Sequence, residues 1–263
     1  MTKVMAGNEP AHAIYNQNVR SENQVIIQAE MLTKVYRTGH IEVPAVRGVS
    51  FTVRRGEFVA VVGPSGSGKS TLFYLLGGLT RATSGSIHID GVDFAQLNDA
   101  ERTRLRKRRI GFVFQRFNLL PTLSAMGNVE VAYAISGHKE PMDRNYLQGL
   151  AEKLGIAGRM QHRPSELSGG EQQRIAIARA LISRPAIVLA DEPTGNLDSK
   201  NSDAVLRMLR TLTDDLGQTT MMITHNPEAA AIADRILYMR DGVVVREEAG
   251  SGSASHLAAE LVV

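Results

Sequence analysis

Gly63-Pro64-Ser65-Gly66-Ser67-Gly68-Lys69-Ser70 has the glycine, lysine and hydroxyl spacing of a loop that holds phosphates. Its glycines let the backbone wrap closely, with N–H groups aimed inward at phosphate oxygens. Lys69 would reach the β- and γ-phosphates as a point charge, and the Ser70 hydroxyl would ligate Mg²⁺. The apolar run Glu57–Val62 leads in as a short buried strand. Thr71–Leu76 follow as a helix whose N-terminus faces the same phosphates. A plain glycine turn between strand and helix explains neither Lys69 nor Ser70, so the stretch implies a bound nucleoside triphosphate.

A second set of residues supplies what phosphate chemistry needs. Ala186–Ala190 is apolar throughout and reads as a strand buried on both faces, ending in Asp191-Glu192. Carboxylates at that end of a strand fit a ligand site at the edge of an α/β sheet. Asp191 is a candidate Mg²⁺ ligand, and Glu192 is a candidate general base for an attacking water. An acidic pair in this place is in other settings a solvated turn; the phosphate loop is what lifts it above that. Ile110–Phe114 is a short apolar segment ending in Gln115, whose amide can touch metal or water. Met221–Thr224 is a third strand-like run, ending in His225, which can bond a γ-phosphate and align water. Taken alone, Gln115 and His225 would be ordinary polar residues at strand ends.

Ser168-Gly169-Gly170-Glu171 has the form of a capping box, and Ile175, Ala178 and Ile182 give the helix from Glu171 to about Ser183 one apolar face. Pro185 ends it. Capping does not explain two glycines in a first turn, where they weaken the helix. Bare backbone there suits close approach of an anion.

With these residues in hand, the chain resembles the ATP-binding-cassette (ABC) ATPases. Gly63–Ser70 is similar to their phosphate loop, Gln115 to the Q-loop and Leu167–Glu171 to the signature. Asp191-Glu192 is similar to the second nucleotide motif, Gly195-Asn196-Leu197-Asp198 to the D-loop and His225 to the switch histidine. Tyr36 lies where the family has an aromatic that stacks on adenine. The resemblance covers about Val25 to Glu247 and implies ATP with Mg²⁺, hydrolysis, and a P-loop α/β cassette. That cassette has a RecA-like core, an antiparallel β subdomain and an inserted α-helical subdomain. It also implies a head-to-tail pair of copies, each site joining the phosphate loop and Thr71 of one copy to Ser168, Gly169, Gly170, Glu171 and Asp198 of the other. Phe114–Ser124 and Asp191–Asp198 resemble the lipoprotein-releasing, macrolide-exporting and FtsE-like division branch. The partner this implies is a transmembrane permease with a large extracytoplasmic domain, the chain lying on the cytoplasmic face of the membrane. Importer-type and purely regulatory cassettes are the alternatives. Gly127 departs from the branch, which has Glu before Asn-Val, and is expected to end or bend a helix.

Composition suits one globular α/β domain with subdomains: 263 residues, 43% hydrophobic and 22% charged. Without cysteine, disulfides and thiolate metal sites are excluded. No apolar stretch reaches the length of a spanning helix, and no leader-like apolar core is seen at the start. The expected organisation is a mobile extension over 1–23 and a cassette over 24–248, with its helical subdomain at about 99–165. A flexible tail over 249–263 begins at the joint Gly250-Ser251-Gly252-Ser253. Strands are expected near Val25–Ala29, Val49–Val53, Phe58–Val62 and Ser86–Ile89, and a helix over Asp203–Leu216 stopped by Gly217. The net charge of +3 hides a basic run, Arg102, Arg104, Arg106, Lys107, Arg108 and Arg109. It reads as a solvated helix face, with anionic lipid as an alternative. Nucleic acid is not expected, because no aromatic residues interleave the run.

Overall fold

Two long strands, β1 (Val25–Thr38) and β2 (Ile41–Arg54), open the described part of the computed structural model, residues 24–252. Along β2 the buried residues Val49, Phe51 and Val53 alternate with exposed Ser50, Thr52 and Arg54, the period-two pattern of a one-faced sheet. Then come β3 (Phe58–Val62), α1 (Lys69–Leu76), β4 (Ser84–Ile89) and β5 (Val92–Asp93). The first sheet is antiparallel, in the order β2-β1-β4-β5. Both expected strands of the hairpin extend well beyond their apolar runs, because pairing continues through polar residues as far as Thr38 and Ile41.

The chain continues as α2 (Asp99–Arg109), β6 (Ile110–Phe114), α3 (Ala125–Ile135), α4 (Arg144–Lys153), α5 (Gly169–Leu181) and β7 (Ile187–Asp191). It closes with α6 (Ser199–Leu216), β8 (Thr219–Thr224), α7 (Pro227–Ala230), β9 (Arg235–Arg240) and β10 (Val243–Ala249). The second sheet runs β10-β9-β3-β8-β7-β6, parallel except where β10 meets β9. Phe58, Ala60 and Val62 of β3 face one buried apolar cluster, while Val59 and Val61 face the other. Every residue of this strand is therefore buried, as a central parallel strand requires.

Several expectations need correction. The helical stretch does not run unbroken from residue 99: β6 pairs with β7 in the main sheet, and Phe112 and Phe114 pack with Phe73 of α1. The inserted helices α3 and α4 come only after β6. Gly127 does not end α3; it lies in the first turn, where its N–H is capped by the Ser124 side chain at 3.1 Å. Gly250, Ser251 and Gly252 are not a free joint. Their N–H groups donate to the carbonyls of Asp234, Ala231 and Ala233 at 2.8–3.1 Å. The extension over 1–23 and the tail beyond Gly252 lie outside the described residues.

The basic run is only partly a solvated face. Arg102 is buried and pairs with Asp99, Arg109 pairs with Asp90, Arg106 donates to Gly78 O, and Arg108 donates to Gly137 O. Arg104 and Lys107 are exposed. Among the described residues no helix is long and apolar enough to cross a membrane.

Candidate nucleotide site

The loop after β3 reaches its shape through close backbone approaches. A Cβ on Gly68 would lie 2.3 Å from Ala45 O, and Gly68 itself has φ 99°, open to glycine at little cost. α1 starts at the next residue, so its N-terminal N–H groups face the loop. Ser65 to Thr71 line a cavity of about 330 Å³ together with Asp191, Glu192 and His225. Gly63 and Pro64 lie outside that wall, and a Cβ on Gly63 would lie 2.1 Å from Met239 O. Lys69 is buried, and its Nζ donates to Gly63 O at 2.7 Å and Pro64 O at 2.8 Å. Burial lowers the Lys69 pKa; the charges of Glu192 and Asp191 oppose that shift.

Asp191 and Glu192 arrive at the cavity because β7 lies next to β8, itself next to β3, with the parallel register bringing all three C-terminal ends together. Burial raises the Asp191 pKa, the Glu192 charge raises it further, and Lys69 opposes. Glu192 has φ 47°, a left-handed conformation costing a non-glycine residue about 1–3 kcal/mol. It is held there by its N–H to Ile223 O at 2.9 Å and by Gly195 N–H to its carbonyl at 3.0 Å. Glu192 Oε1 lies 2.8 Å from His225 Nδ1. An ionised Glu192 only accepts, so Nδ1 of the largely exposed ring is then the donor of this bond. A base oriented by a second group, beside a cation-bearing phosphate loop, is an arrangement for adding water to a phosphoryl group.

The other expected site residues lie elsewhere. Gln115 is not in the cavity wall: its Nε2 reaches Asn196 Oδ1 at 3.4 Å, and Asn196 Nδ2 donates to Gln115 O at 3.1 Å. Tyr36 is also outside the wall, with the Lys34 ammonium 5.0 Å from its ring centroid. Ser168, Gly169, Gly170 and Glu171 form a full capping box on α5, away from this chain's own phosphate loop. Glu171 accepts from Ser168 N–H at 2.8 Å and from Arg159 Nε at 2.7 Å. The Ser168 backbone bond and then the Arg159 bond lower its pKa from 4.5 to about 2. Asp198 caps α6, accepting from Asn201 N–H at 2.8 Å, and this bond lowers its pKa. A Cβ on Gly170 would lie 2.3 Å from Asn201 Oδ1. The second signature glycine thus has a reason within its own chain, besides any approach by an anion.

Three functional candidates escaped the sequence reading. Asn128, buried, accepts from Leu120 N–H at 2.7 Å and donates to three carbonyls between Leu120 and Ser124. Arg179 of α5 donates to Phe117 O and Asn118 O. Gln173 of α5 is fully buried. The spacing of Gln173 to Ile177 and Ala180 puts an amide on the apolar face of its helix, a signal visible in the sequence.

Residues 46–195 match the family model described as ABC transporter. The lipoprotein-releasing system ATP-binding protein LolD of Alcanivorax borkumensis is 45% identical over 84% of this chain and 97% of its own. The macrolide export ATP-binding/permease protein MacB of Syntrophobacter fumaroxidans is 47% identical over 86% of this chain and 32% of its own. A second MacB, of Rhodopirellula baltica, is covered over 35%, so the chain spans about a third of these relatives. Among solved structures, the ATP-binding cassette MJ0796, in a dimeric post-hydrolysis state bound to ADP and Pi, has a TM-score of 0.76 at 40% identity. The match covers 85% of this chain and 98% of that one.

Proposed function

The chain belongs to the ABC transporter family as an ATP-hydrolysing cassette, and from that premise we propose which of its residues do the work and for what partner. Lys69 holds the β- and γ-phosphates, and the N–H groups from Ser65 to Thr71 hold their oxygens. Glu192 accepts the proton of the attacking water, with His225 orienting it. The observation that carries this reading is the convergence of Lys69, Asp191, Glu192 and His225 on one cavity at the ends of three parallel strands.

Mg²⁺ fits the donors present. Ser70 and Asp191 are hard oxygen donors in the cavity wall, and among the described residues no cluster of three or more His, Cys, Asp or Glu could hold a metal. Mg²⁺ suits such a place, since it takes one or two carboxylates and completes its shell with phosphate and water. When bound it would neutralise charge on the phosphates.

Two copies acting head to tail explain why Ser168 to Glu171 cap a helix away from their own chain's cavity: they would complete the cavity of the other copy, with Asp198 at the seam. Gln115 and Tyr36 would join the site only after it closes on nucleotide. The working partner we infer is a transmembrane permease with a large extracytoplasmic domain, with this chain on the cytoplasmic face. Support comes from the MacB and LolD relatives and from the partly exposed apolar segment beginning at Phe117.

Titration calorimetry of Lys69→Ala with ATP tests the phosphate cradle. Loss of a charged hydrogen-bond donor of about 1.5–3 kcal/mol should weaken ATP binding roughly 10- to 100-fold or more. Unchanged affinity would defeat the assignment.

A further inference from the structure

Gln173 is fully buried, and its Nε2 donates to Pro193 O at 2.6 Å and to Phe114 O at 3.4 Å. Two donor hydrogens aimed at two carbonyls fix the amide; turned over, Oε1 would face both oxygens. In the fixed orientation Oε1 has no hydrogen-bond partner among the described residues. A buried acceptor left unpaired is costly, and a methionine of similar length would avoid the cost. The donor is therefore the part of the amide that the fold uses.

The two carbonyls it holds are placed at the chemistry. Pro193 follows Glu192, and Phe114 precedes Gln115. Glu192 keeps its left-handed backbone only because its surroundings hold it there. Its own N–H and carbonyl are tied to Ile223 and Gly195, and the next carbonyl is tied to Gln173. Gln173 lies on the helix that begins at Ser168. A shift of that helix therefore pulls directly on the backbone carrying Glu192.

We propose that Gln173 is a positioning residue for hydrolysis, setting the Glu192 backbone from the signature helix. The proposal rests on Glu192 being the base. It requires the donor, not the volume, of Gln173.

Gln173→Met and Gln173→Glu in the full chain separate the two. Gln173→Met keeps the volume and removes the donor. It should stay folded by circular dichroism and bind ATP within about threefold of wild type, while kcat falls about tenfold or more. In Gln173→Glu the buried carboxyl is neutral and its O–H donates to Pro193 O, so kcat should return to near wild type. Its ratio to wild type should then fall as pH rises and the acid ionises. The proposal is overturned by a folded Gln173→Met with kcat within about twofold of wild type, by parallel loss of affinity and kcat, or by a Gln173→Glu no better than Gln173→Met. Should Gln173→Met fail to fold, Gln173→Glu decides alone: kcat near wild type at low pH with a ratio that falls as pH rises supports the proposal, and kcat about tenfold or more below wild type at every pH overturns it. Glu192→Gln run alongside keeps the causes apart. If it still hydrolyses ATP, the base assignment has failed; if it is inactive while Gln173→Met is fully active, only the positioning role has failed.

Discussion

The Asp191 carboxyl lies in the cavity wall with Glu192 and Lys69. Its folded-state pKa is raised above 3.8 by burial and by the Glu192 charge, so at neutral pH the ionised carboxylate is less comfortable folded than unfolded. Asp191→Asn should therefore raise the thermal midpoint near pH 7 while hydrolysis is lost. The difference should close as pH falls through the raised folded value toward 3.8, where the Asp191 carboxyl is protonated in the folded chain and begins to protonate in the unfolded one. A midpoint lower than wild type at pH 7 would mean that Lys69 needs the charge more than burial penalises it. Single residues were unevenly legible in the sequence. Lys69, Ser70, Asp191, Glu192 and His225 follow strand-like runs, and parallel register brings such strand ends together. Gln115 and Tyr36 carry equally clear motif positions, yet Tyr36 lies beside Lys34, two residues earlier on the same face of β1, and Gln115 lies against Asn196 in the loop after β7, whose course no local pattern encodes.

Helix α5 is secured at its start by Ser168 and Glu171. Because the Glu171 pKa is depressed from 4.5 to about 2, its stabilisation is complete above pH 4.5 and is lost as pH falls toward 2. Ser168→Ala removes an N-cap of about 1 kcal/mol and the 2.9 Å Oγ–H bond to Glu171 Oε2, while the backbone bond and Arg159 stay, so the acid-unfolding curve of this variant should lie slightly closer to wild type below pH 3 than at pH 6. An equal gap at both would deny the cap its pH dependence. The segment before α3 divides in the same concrete way. Leu119 packs against the main apolar cluster, whereas Leu120 is 45% exposed with its backbone held by Asn128. Leu120→Glu should weaken assembly with a membrane partner about tenfold or more without loss of helical circular dichroism, and Leu119→Glu should unfold the chain. A Leu120→Glu chain that assembles normally would remove this segment from the interface. At this scale the sequence was readable where burial is two-sided, as in β3 and β7, and where caps are explicit, as at Ser168 and Gly217. β9 and β10 went unread: β9 is short, with Ile236, Leu237 and Met239 buried between arginines, and takes its place from pairing with β3, while β10 is the edge strand, turns polar at Arg246 and pairs with β9.

The whole molecule has a phosphate cradle on one part of its surface and a capped, glycine-opened helix N-terminus on another, and the two do not meet within one chain. In the proposed arrangement two copies turned head to tail would bring them together, so the assembly, not the monomer, is the unit expected to hydrolyse ATP. That arrangement was legible only through the signature motif, because composition and hydrophobic periodicity carry no information on which copy completes a site. The direct measurement is the molar mass of Glu192→Gln in solution with ATP, by light scattering on size-exclusion chromatography, with the nucleotide content of the peak. The arrangement predicts a stable dimer holding one unhydrolysed ATP per chain, absent without ATP and absent when Lys69→Ala is added. A Glu192→Gln chain that stays monomeric while saturated with ATP, or that hydrolyses ATP at the wild-type rate, would contradict it.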